Sequence, residues 1–138
     1  MAAYPGRLAE LEWRDDFSLG EPIIDAQHKG FIDQAKRVGA LIAVTAPPAL
    51  ILANVEAMVV ATGHHFATED AIMVERGFPD VASHRTDHSV ILAQVSDLVR
   101  PLTVHASAEE IVTVVRGIIA ILIEHMLLKD TELRPYLN

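Results

Sequence analysis

Proline sets the first limit on how this chain folds. Its seven prolines stand at 5, 22, 47, 48, 79, 101 and 135. They leave four long proline-free intervals, 23–46, 49–78, 80–100 and 102–134. Proline lacks a backbone donor and clashes inside a helix, but it is tolerated in the first helical turn. Four helices joined by short turns satisfy this spacing. Pro22 opens a first helix that runs to about 45. Ala46-Pro47-Pro48 turns the chain into a second helix over about 49–76, which stops at Gly77-Phe78-Pro79. A third covers about 80–100 and ends before Pro101. Ser107 and Glu110 have the spacing of a capping box, so a fourth runs over about 108–130. Residues 1–20 read as an irregular N-terminal arm.

Each interval carries an apolar stripe. The first has Ile24, Phe31, Ala35, Val38 and Ile42; the second has Ile51, Val55, Met58 and Ile72. The third has Val81, Ile91, Val95 and Leu98; the fourth has Ile111, Val114, Ile118 and Leu122. Such seams pack antiparallel helices together. The β-branched run Ile111-Val-Thr-Val-Val115 also fits a strand, but the length of the interval and the capping box favour helix. The expected fold is all-α, an up-down-up-down four-helix bundle. At 138 residues the chain reads as one domain over 1–138, with roughly 68% of its surface buried on folding.

Composition removes several function classes. Eleven Lys plus Arg against nineteen Asp plus Glu give a net charge of −8, the wrong sign for a nucleic-acid partner. With no cysteine there is no disulfide framework, zinc–thiolate site, cysteine-ligated iron–sulfur cluster or cysteine nucleophile. The N-terminus has no signal-peptide pattern. The longest apolar stretch, Ile111 to Ile123, is broken by Arg116 and is too short for a bilayer. A soluble, cytoplasmic protein without a membrane partner is expected.

The histidines carry the chemistry. His28, His65, His84, His88 and His125 fall in the apolar seams of all four helices, whereas His64 and His105 read as surface residues. Burying five unpaired imidazoles costs several kcal/mol, and a metal ion offsets that cost. Glu69 lies four residues after His65, on the same helix face. Asp130 lies five after His125, about 140° further round an ideal helix, and reaches the same level only at a fraying helix end. Five imidazoles and two carboxylates exceed one tetrahedral zinc. They suit two metals bridged by two carboxylates, and a thiolate-free, imidazole-rich set favours iron. Each piece alone has an ordinary explanation, such as an i,i+4 side-chain pair or a satisfied core histidine. All seven at one level of a bundle is a far more specific pattern.

The ordered set resembles the hemerythrins, most closely the bacterial single-domain type. It comprises Ile24-Asp25-Ala26-Gln27-His28-Lys29, then His65-Phe66-Ala67-Thr68-Glu69-Asp70, then His84-x-x-x-His88, then His125-Met126-x-x-x-Asp130. Trp13 and Gly20 precede it, and the likeness spans about 13–130. The resemblance implies that His84, His88 and His125 hold one iron and that His28 and His65 hold a second with an open position. Glu69 and Asp130 would bridge both, beside an oxo or hydroxo group. It also implies reversible O2 binding as hydroperoxide, for storage, delivery or sensing. Phe31, Phe66, Leu122 and Met126 lie within one turn of these residues and would line the O2 pocket. So would Ile121, which stands where the family commonly has Trp.

A carrier is favoured over an enzyme, and no catalytic residue is expected. Di-iron carboxylate enzymes typically use Glu-x-x-His motifs, and this chain has none. The alternatives are a di-iron redox enzyme acting on peroxide or nitric oxide, and a metal-binding module without gas chemistry. A monomer or weak homo-oligomer is expected, with O2 as the partner and no protein partner specified by the sequence.

Overall fold

The computed structural model describes residues 8–137. Met1 to Arg7 of the expected arm, and Asn138, lie outside the described residues. Four helices dominate: α1 (Pro22–Ala43), α2 (Pro48–Glu75), α3 (Val81–Val99) and α4 (Ala108–Leu128). Each packs against the next in sequence, and α4 returns against α1, which closes a four-helix bundle. No strand occurs among the described residues, so the β-branched run from Ile111 is helical.

Local chemistry sets the helix ends. Glu21 caps α1 by accepting from the Ile24 amide at 2.7 Å, with Pro22 in the first turn. In α4 the Ser107 hydroxyl accepts from the Glu110 amide at 3.1 Å, and the Glu110 carboxylate accepts from the Ser107 amide at 3.2 Å. Gly77 closes α2 at φ +71, where a side chain would be strained. The Phe78 amide then bonds back to the Met73 carbonyl at 3.0 Å.

The seams shift slightly from the expected stripes. Val115 and Ile119 are fully buried while Val114 is half-buried; Met73 replaces Ile72 inside, and Val99 replaces Leu98. These are neighbours one residue apart, the error of fitting a seven-residue repeat to helices with 3.6 residues per turn.

The described part of the N-terminal arm, residues 8–20, packs onto the bundle. It contains two short 3-10 helices, Leu8–Glu10 and Asp15–Phe17, and Leu8, Leu11, Phe17 and Leu19 are all buried. Gly39 provides the seat for Leu8: a Cβ at position 39 would lie 2.9 Å from the Leu8 Cβ. Asp25 holds the end of the arm against α1, accepting from the Leu19 amide at 2.8 Å and the Ser18 hydroxyl at 2.7 Å.

The C-terminal end is the second correction. The fourth helix stops at Leu128, and Asp130–Tyr136 forms a separate 3-10 helix. Leu133 and Leu137 of this segment pack with Leu19, Ile24 and Met73 in a small core of their own. The Arg134 guanidinium donates to the carbonyls of Ser18 at 2.9 Å and Asp16 at 3.1 Å. Arm and C-terminal segment thus clamp each other across one end of the bundle.

By length and composition alone, Pro48–Glu75 and Ala108–Tyr136 are each long and apolar enough to cross a membrane. Both segments bury polar residues inside the bundle: Thr62, His65 and Glu69 on one, His125 and Asp130 on the other.

Candidate metal centre

Every helix delivers at least one imidazole to the same depth. α1 brings His28, α4 brings His125, and α3 brings His84 and His88 one turn apart. α2 brings His65 with Glu69 one turn on, and the 3-10 helix brings Asp130. All seven side chains are buried, Glu69 and Asp130 completely. Asp130 turns inward because α4 ends two residues before it. The chain leaves the helical path at Lys129 (φ −116, ψ −50), and Asp130 Oδ1 comes back to within 3.1 Å of His125 Nε2.

The donor atoms form two groups that share their carboxylates. One comprises His28, His65, Glu69 and Asp130; the other comprises His84, His88, His125, Glu69 and Asp130. Glu69 Oε2 lies 3.2 Å from His65 Nε2, while Oε1 lies 3.0 Å from His88 Nε2. Asp130 Oδ2 lies 3.3 Å from His28 Nε2, while Oδ1 lies 3.1 Å from His125 Nε2. Each carboxylate therefore presents one oxygen to each group.

These contacts are poor hydrogen bonds and a good cage for cations. His88 Nδ1 lies 2.9 Å from Asp70 Oδ1, so Nδ1 carries the proton and Nε2 directs its lone pair at the Glu69 oxygen. His65 Nδ1 lies 2.7 Å from Gln27 Oε1, which leaves the His65 Nε2 lone pair facing inward too. That nitrogen is 3.0 Å from His28 Nε2. Both oxygens of Glu69, both of Asp130, and the Nε2 atoms of His88 and His125 are buried without an aligned hydrogen bond. Lone pairs crowded together in a dry interior need a proton or a metal between them. Neutral imidazole and carboxylate, with no thiolate, suit transition metals such as iron, zinc, copper or nickel. The residues present fit a pair of metal ions and leave no donor over.

The electrostatics agree. Burial pushes the Asp130 carboxyl upward, but the adjacent His125 and His28 side chains outweigh it and hold the carboxyl below its usual range. Burial lowers the proton affinity of His88, yet the Glu69 carboxylate, with Asp70 and Asp130, raises it above the ordinary imidazole value.

Aromatic rings wall the cluster. Phe66 stacks on His88 and meets His65 and His125 at ring-centroid distances of 5.6 and 5.9 Å. Phe31 meets His65 edge-on at 5.4 Å. Leu122 and Met126 are buried on α4. Ile121 differs: it is half-buried and lines an open groove of about 750 Å³ between α3 and α4, with His125 also in its wall. His64 and His105 stay exposed and outside the cluster. Sequence reasoning missed the supporting roles of Gln27, Asp70 and Phe78; Phe78 stands edge-on to His84 at 5.0 Å. Their signal was adjacency, since Gln27 precedes His28 and Asp70 follows Glu69.

A four-helix bundle with five buried imidazoles and two shared carboxylates defines a class, the histidine-rich non-haem metal proteins suited to a dinuclear centre. Residues 19–137 match the hemerythrin HHE cation binding domain. The chain belongs to the hemerythrin family. It is similar to the bacteriohemerythrin of Stenotrophomonas maltophilia (strain R551-3), 32% identical over 91 residues that cover 65% of this chain and 58% of that protein. It is similar also to the bacteriohemerythrin of Pseudomonas aeruginosa (strain LESB58), 29% identical over 90 residues with the same shares. The bacteriohemerythrin of Ralstonia nicotianae is 30% identical over 83 residues, covering 60% of this chain and 57% of that protein. The matched stretch thus spans less than two thirds of each relative's length.

Proposed function

We propose that this chain binds O2 reversibly at a di-iron centre, serving storage, delivery or sensing in the cytoplasm rather than catalysis. The observation that carries the reading is the pair Glu69 and Asp130, each with one oxygen facing each imidazole group. His84, His88 and His125 would hold one iron, and His28 and His65 the other. When bound, such a pair supplies two electrons for reversible uptake of O2. The protein's part is positional. Glu69 and Asp130 fix the spacing of the two positions and neutralise part of their charge. His28 and His65 offer one fewer imidazole than the opposite group, which leaves room for a small ligand on their side. Phe31 and Phe66 exclude water there, and a dry wall slows proton delivery and loss of a charged product.

The test is one anaerobic-to-aerobic optical titration of iron-loaded, dithionite-reduced protein, with iron counted on the same sample. Two irons per chain and a visible band that appears with O2 and disappears on its removal are expected. Bleaching to a diferric spectrum with no band, or no bound iron, would overturn the reading. The half-buried Ile121 on the groove beside His125 favours one second reading, turnover of peroxide or nitric oxide. Sustained turnover lost in His84→Ala would establish it.

A further inference from the structure

We infer that Asp70 and Gln27 make the two halves of the cluster electronically unequal, with Asp70 the positioning residue that strengthens His88 as a metal donor. The inference rests on the dinuclear reading above. In each half one imidazole has its outer nitrogen backed by a side-chain acceptor. His88 Nδ1 meets the Asp70 carboxylate at 2.9 Å, and His65 Nδ1 meets the Gln27 amide oxygen at 2.7 Å. The Gln27 amide nitrogen reaches Thr68 Oγ1 at 3.4 Å, which keeps its oxygen turned to His65. By contrast, His28 Nδ1 and His84 Nδ1 are buried without a partner. The two backed histidines therefore differ in one respect, an anion behind one and a neutral dipole behind the other.

That difference acts on the metal. An acceptor at the outer nitrogen fixes the tautomer and the ring angle in both cases. An anionic acceptor also pulls on the N–H proton and loads electron density onto the inner nitrogen, so His88 favours the more highly charged metal state. Asp70 is sheltered enough to keep this effect, with its side chain 21% exposed. The nearest cation, Arg85 Nε, lies 3.9 Å from the other Asp70 oxygen on a side chain that is 57% exposed, where solvent screens it. Phe66 covers one face of the His88 ring and Glu69 lies ahead of it, so Asp70 controls the edge that remains.

The experiment titrates full-length, metal-free chain with Co2+ and measures the midpoint potential of the iron-loaded chain. Asp70→Asn keeps shape and acceptor but removes the charge. It is expected to weaken one Co2+ equivalent about tenfold, leave the other unchanged and raise the midpoint potential. Gln27→Glu is expected to tighten the other equivalent and lower the potential, and Asp70→Glu to restore wild-type behaviour. Equal weakening of both equivalents in Asp70→Asn, or no change in either measure, would overturn the inference. A wild-type chain that binds fewer than two Co2+ would defeat the dinuclear reading instead.

Discussion

Phe66 lies flat against His88, with ring centroids 4.1 Å apart and planes 6° from parallel. The same ring meets His125 of α4 edgewise at 5.9 Å. It also meets His65 at 5.6 Å, so one phenyl touches imidazoles of both groups. Phe66→Ala would remove those ring contacts and leave a cavity. A loss of about 3–5 kcal/mol is expected in chemical denaturation of the metal-free chain. In the iron-loaded chain the oxygenated form should bleach faster, while Phe66→Leu keeps most of the stability and bleaches at an intermediate rate. Equal bleaching rates in all three proteins would show that Phe66 serves packing only.

Arg134 holds the segment that carries Asp130. Its guanidinium binds the carbonyls of Asp16 and Ser18, joining residues more than a hundred positions apart in the chain. Arg134→Ala should cost about 1 kcal/mol, because the hydrogen bonds are charge-assisted but exposed. Its sharper effect should be on metal release, since Asp130 sits on a short 3-10 helix while the other six side chains sit on the four long α-helices. Faster Co2+ loss to a chelator is expected. Arg134→Lys should not rescue it, because an ammonium cannot fork between two carbonyls. A release rate equal to wild type would mean that Leu133 and Leu137 suffice to hold the segment.

Much of this was legible in the sequence. Helix ends announced themselves through Pro22, Gly77 and the Ser107–Glu110 pair, because caps and breakers act over a few residues. The inward imidazoles were legible because helical period alone places His65 with Glu69 and His84 with His88. Asp130 was legible as a candidate but not as a geometry. Its approach depends on a change of helix type after Leu128, which no periodicity encodes. The packing of the arm was not legible for a similar reason. Segments of three residues have no period, and the burial of Leu8 depends on Gly39, thirty-one positions away. Ile121 stands four residues before His125, and both line the groove between α3 and α4. Which side of His125 faces an open groove is a property of how closely α3 and α4 approach, and that is a tertiary fact.

Thr45 carries strain that serves no part of the site. It closes α1 at φ 54, a left-handed conformation that is unfavourable for a β-branched residue. Its amide still bonds to the Ile42 carbonyl, and the Ala46 amide to the Leu41 carbonyl, so the turn itself is sound. Glycine would relieve about 1–2 kcal/mol of strain while giving back part of it as unfolded-chain entropy. Thr45→Gly should therefore stabilise the chain by about 0.5–1 kcal/mol, read as a higher denaturation midpoint with unchanged metal content. A lower midpoint would show that the threonine side chain contributes packing that outweighs the strain.

His88 sets opposite pH responses for the stability of the metal-free chain and for its metal uptake. In the folded, metal-free chain the proton affinity of His88 is raised, chiefly by Glu69 against the opposing effect of burial. A raised folded value stabilises below the unfolded imidazole value near pH 6.5, and the contribution fades as pH rises through the folded value. Asp130 is shifted the other way, so its contribution persists through neutral pH and fades only well into acid. Between pH 6 and 8 the His88 proton is therefore the changing term. Metal binding needs that nitrogen bare, so uptake must expel the proton. Metal-free protein should lose stability from about pH 6 to pH 8, and the loss should be absent in His88→Gln. Co2+ affinity should move oppositely, rising with pH by up to about tenfold per unit while one proton is displaced. Thermal denaturation of both forms at the two pH values, with proton release followed by an indicator dye, measures each arm separately. Metal uptake without proton release below pH 6.5 would contradict the protonation state assigned to His88.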